Sequence, residues 1–86
     1  MKEELLKILE GINLEYDKES ENAQGYEEIK TNFLSAIENL KNATSIDDNT
    51  YETIKETANE IEEGMSDFKK FKRLNKIQRE ISVYVF

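Results

Sequence analysis

The sequence predicts an all-α fold, and three observations carry the prediction. The chain has no Pro and only three Gly among 86 residues. It is rich in Glu, Lys, Leu and Ile, and its apolar residues recur every three or four positions. The expected architecture is either an antiparallel hairpin of two long helices or a small three- to four-helix bundle. The helical segments are expected at about 2–22, 25–43, 50–64 and 66–84, within a single domain over 1–86, with helix content above two-thirds. In the hairpin alternative the first two segments are continuous, and so are the last two.

The first segment places Leu5, Leu9, Ile12 and Tyr16 on one face. The second carries the strongest ladder, Tyr26, Ile29, Phe33, Ile37 and Leu40, with Ala36 beside it. Extending one ladder through both meets only Glu19 and Lys30 as violations, so a single helix over 2–43, roughly 60 Å long, is one reading. The other is a break in the polar stretch 17–25, which ends at Gly25. The side chains of Asn-Ala-Thr-Ser-Ile-Asp-Asp-Asn-Thr at 42–50 bond to their own backbone and mark the clearest break. Asn49 followed by Glu52 has the spacing of a helix N-cap with an acid at its third position, and Asp47 and Asp48 suit the positive helix start. The cluster lacks the alternating acids and central Gly of a calcium loop, so capping is the better reading. The third segment carries Tyr51, Ile54, Ala58, Ile61, Met65 and Phe68. The ladder then shifts by one step to Phe71, Leu74, Ile77, Ile81 and Tyr84. At the shift, Gly64 can end one helix and Ser66 can cap the next. A fraying helical turn is expected over 81–86.

Composition excludes much chemistry. Without Cys or His there are no thiol nucleophiles, disulfides, zinc fingers, iron–sulfur ligands or His-based triads. Leu, Ile, Val and Phe number 22, enough for only a small core and too few to wall a deep catalytic cleft. No enzymatic activity, metal or cofactor is expected. No apolar run approaches the about 20 residues of a membrane span, and the expected location is the cytoplasm.

The net charge of −7 conceals a split. Residues 1–64 hold 17 acids against six lysines, a balance of −11. Residues 65–86 hold Lys69, Lys70, Lys72, Arg73, Lys76 and Arg79 against Asp67 and Glu80, a balance of +4. Two candidate faces follow. Glu52, Glu56, Glu60 and Glu63 form an acidic column that suits a partner with a basic surface, or is simply a solvated face. Lys69, Lys70, Lys72, Arg73 and Lys76, interleaved with Phe68, Phe71, Leu74 and Ile77, form a basic amphipathic helix. Its apolar residues are expected on one face, as core. Its bases either neutralise the acidic half internally or meet a polyanion.

Two families are similar in outline. Leu5-Leu6-Lys7-Ile8-Leu9 and the step from Ala36 to Leu40 resemble the pattern of small immunity proteins against class II bacteriocins. Helical-hairpin substrates of type VII secretion are similar in length and in a mid-chain turn, but this chain lacks their Trp-x-Gly turn. Neither resemblance assigns a functional residue. The expected function is stoichiometric protein binding by an inhibitor, immunity or adaptor protein, bacterial or from a mobile element. The acidic column is the preferred contact surface, and a homodimer is an alternative association. Nucleic-acid association through the basic helix is the second reading, and a structural subunit of a helical assembly the third.

Overall fold

In the computed structural model, which describes residues 2–85, the chain folds as a small bundle of four helices. They are α1 (Lys2–Glu10), α2 (Ala23–Asn42), α3 (Asp48–Glu62) and α4 (Asp67–Tyr84). At 9, 20, 15 and 18 residues they occupy more than two-thirds of the chain. The molecule measures 39 × 23 × 17 Å, too short for the single helix over 2–43. Helix α2 packs on α4 and α1, and α3 packs on α4 and α1. Among the described residues the backbones of α1 and α4 do not approach closely, nor do those of α2 and α3, so these pairs are the diagonals of a square. Leu5, Leu9, Phe33, Leu40, Ile54, Leu74, Ile77 and Ile81 fill its centre.

The first helix is much shorter than the expected 2–22. Gly11 N–H turns back on the carbonyls of Lys7 and Ile8, and Ile12 N–H on that of Leu9, closing the helix. Beyond it, side chains capture the backbone. Asn13 Oδ1 accepts from Glu15 N, Asp17 Oδ1 from Glu19 N, and Ser20 Oγ from Asn22 N. These short loops replace the helical ladder. The break therefore begins at Gly11, whereas Gly25 lies inside α2. Residues 11–22 form a strap with Ile12 buried and Leu14 and Tyr16 packed on the core. Lys2 Nζ donates to the carbonyls of Lys41 and Ala43, satisfying the C-terminal end of α2.

The cap of α3 is Asp47, two residues before the expected Asn49. Asp47 Oδ1 accepts from Asn49 N at 2.8 Å and Thr50 N at 3.1 Å, and Oδ2 accepts from the Thr50 hydroxyl at 2.9 Å. An acid accepts these charge-assisted bonds better than the neutral Asn49 amide would. The bonds from Thr50, then the one from Asn49 N, hold the Asp47 carboxyl below its ordinary pKa. A depressed carboxylate stabilises the fold above its unfolded pKa, and the contribution is lost as pH falls through the folded value. Asp47→Asn keeps a capping oxygen without the titration. Its melting temperature should therefore fall less than wild type between about pH 5 and pH 2. An unchanged acid slope, followed by circular dichroism, would assign that slope to other carboxylates.

The sequence leaves the last two segments either separate or continuous, and in the structure α3 and α4 are separate helices. Gly64 adopts φ +98° just past the end of α3, a conformation that disfavours any residue with a Cβ. Ser66 Oγ accepts from Lys69 N and caps α4. Helix continues through Tyr84, and Val85 N–H closes on Ile81 O. Phe86, the last residue of the expected terminal turn, lies outside the described residues.

Candidate partner-binding face

Helix α4 has a buried side and an outer side of distinct chemistry. Phe71, Leu74, Ile77 and Ile81 are buried, as expected. Phe68 is not: it is 56% exposed, contrary to its expected place in the core. At 100° per residue it projects about 60° away from Phe71, past the edge of the buried arc. Val83 and Tyr84 are 57% and 54% exposed. Of the four large apolar side chains exposed among the described residues, only Leu34 lies off α4.

The bases of α4 divide into two sets. Arg73 Nε meets Glu60 Oε2 at 2.5 Å and so ties α4 to α3. Lys70 Nζ donates to Glu15 O at 2.6 Å, pinning the strap, while Asp67 Oδ2 accepts from Asp17 N. Lys69, Lys72, Lys76 and Arg79 are exposed, and none pairs with a carboxylate among the described residues. These four fall within an arc of roughly 80° and span about 15 Å along the axis. Lys72 Nζ lies 5.5 Å from the Phe68 ring centroid, a cation–π contact at the surface.

Beside this stripe runs an open groove between α2 and α4. Ile29 and Phe68 supply its apolar surface over the Tyr26 and Phe71 rings, and Lys72, Lys76 and Arg79 its basic wall. Arg79, Val83, Tyr84 and Ile29 do not appear in either face derived from sequence. The 3-4-3 spacing of Lys69, Lys72, Lys76 and Arg79 is the signal that adds Arg79 to the basic set. Tyr84 looks like core on the ladder, and only packing exposes it, whereas Val83 lies off the ladder.

The acidic column has another character. Glu52, Glu56, Glu60 and Glu63 are all exposed on the side of α3 away from Tyr51, Ile54, Ala58 and Ile61. Among the described residues α3 carries no exposed large apolar side chain of its own, although Phe68 of α4 lines a surface groove with Glu60, and Glu60 is engaged by Arg73. The two faces respond differently to neutralisation. Because Lys69, Lys72 and Lys76 make no ion pair among the described residues, the triple change of these residues to Gln should leave the melting temperature near wild type. Arg73→Gln, which frees Glu60, should lower it. A clear loss in the triple variant would mean that these lysines balance the acidic half after all.

No helix among the described residues is long and apolar enough to cross a membrane. Comparison with protein-family models, with curated proteins and with solved structures gives no match.

Proposed function

We propose that this chain is a stoichiometric protein-binding module, of the inhibitor, immunity or adaptor kind, that meets its partner through the outer face of α4. The observation that carries the reading is the coincidence of exposed Phe68, Val83 and Tyr84 with unpaired Lys69, Lys72, Lys76 and Arg79 on one helix. Protein interfaces concentrate energy in aromatic and Arg anchors ringed by polar groups. The acidic column offers charge without an apolar anchor on its own helix, so α4 replaces it as the preferred contact surface.

Four unpaired cations within about 15 Å also favour the nucleic-acid reading. Against it, the chain as a whole carries −7, and exposed apolar side chains contribute nothing to phosphate contacts. A labelled 20-base-pair duplex titrated at 0.15 M salt separates the two. The protein-binding reading expects dissociation weaker than about 10⁻⁴ M, beyond even ordinary non-specific binding. Micromolar binding that weakens steeply with salt and disappears in the Lys69, Lys72, Lys76 triple Gln variant would install the nucleic-acid reading instead.

A further inference from the structure

The groove between α2 and α4 has features that specify its occupant. We infer that it receives an acidic amphipathic helix of a partner protein, an inference that rests on the protein-binding reading above. The length fits: Phe68 and Val83 stand 15 residues apart on α4, about 22 Å, or four helical turns. The chemistry fits too, because the apolar surface of Ile29 and Phe68 runs alongside the cations Lys72, Lys76 and Arg79, which outnumber Glu80, the one acid in the lining. A helix laid in such a groove buries a stripe of apolar residues and presents its flank to the basic wall. Cations spaced three and four residues apart are matched by carboxylates at the same spacing on a facing helix. The partner is thus required to carry Glu or Asp every three or four residues beside an apolar stripe.

A second copy of this chain is the competing occupant. Counted from Glu52, the α3 carboxylates lie at about 0, 6, 12 and 16.5 Å along the axis. Counted from Lys69, the unpaired cations lie at about 0, 4.5, 10.5 and 15 Å, within about 1.5 Å of that column at each step. Charge alone would therefore permit self-association. The α3 column, however, brings no exposed large apolar residue to Ile29 and Phe68, and its Glu60 is engaged. A partner with both features fits better.

The probe is a synthetic 18-residue helical peptide with Leu every three or four positions and Glu flanking that stripe. Its control has Lys in place of every Glu. Titrations are run at 0.1 M salt. There the screening length of about 10 Å isolates the α4 rim from acids farther away. At 0.01 M it grows to about 30 Å, and the whole charge of −7 would oppose the peptide. The Glu peptide should bind at least about tenfold tighter than the Lys peptide, since several exposed pairs act together. Amide shifts should map to the facing sides of α2 and α4. The triple change K72Q, K76Q and R79Q should weaken the Glu peptide by about tenfold, and F68A by about fivefold or more. E52Q with E56Q should leave its affinity unchanged.

Equal binding of the two peptides, or a triple variant as tight as wild type, overturns the inference. Preference for the Lys peptide with shifts on Glu52, Glu56 and Glu63 also overturns it, while leaving a protein-binding module that uses its acidic face. Failure of both peptides together with a salt-sensitive dimer in sedimentation makes the second copy the occupant. Duplex DNA binding tighter than the Glu peptide removes the protein-binding reading itself.

Discussion

Phe33→Ala should lower the unfolding free energy by about 3–5 kcal/mol, the ordinary cost of truncating a fully buried Phe. Phe33 sits at the middle of α2 with no exposed surface, inside the core that all four helices share. A chain of this length is stable by only about 4–13 kcal/mol, so the variant approaches or crosses the folding limit at 37 °C. Urea titration followed by circular dichroism measures the loss directly. Leu34→Ala, one residue along and 46% exposed, should change stability by less than about 1 kcal/mol. A Phe33 loss below about 1 kcal/mol would mean that α2 turns another face inward.

That contrast between neighbours is legible in the sequence, because the ladder of Tyr26, Ile29, Phe33, Ile37 and Leu40 leaves Leu34 outside it. The Gly64 stop and the Ser66 cap are legible as one of two readings, since a left-handed Gly and a hydroxyl cap act locally but the shifted ladder also suits a continuous helix. The strap over 11–22 is not. Ile12 and Tyr16 continue a helical ladder and do pack on the core, yet their backbone is not helical. Periodicity reports which side chains are buried, and a strap lying across a bundle can bury the same ones. The decisive information is the capture of backbone N–H groups by Asn13, Asp17 and Ser20, which compete with helix over a few residues. The basic face is half legible. Its residues stand out in the sequence, but whether a base is paired depends on which acid the fold brings near. Among the described residues only Arg73 of the α4 bases reaches an acid, while Lys70 finds a carbonyl in the strap.

Phe71→Ala should cost about 3–5 kcal/mol, whereas Phe68→Ala, three residues earlier on the same helix, should cost less than about 1 kcal/mol. Phe71 is 1% exposed and stacks on Tyr26 with ring centroids 4.5 Å apart at 22°. Tyr16 meets Phe71 edge-on at 5.4 Å and Tyr26 at 5.6 Å, so α2, α4 and the strap converge on three rings. The Tyr16 hydroxyl also donates to Glu27, which holds the ring over α2. Removing Phe71 leaves Tyr16 and Tyr26 facing a void, and the strap has the fewest backbone bonds with which to resist. Amide exchange should therefore accelerate first over residues 13–20, before the centre of α2 responds. In Phe68→Ala the strap should exchange at the wild-type rate, because that ring contributes to the groove surface and not to the aromatic triangle. Equal losses at the two positions would mean that α4 is rotated so that both rings are core. The apolar surface of the groove, and the binding face built on it, would then not exist.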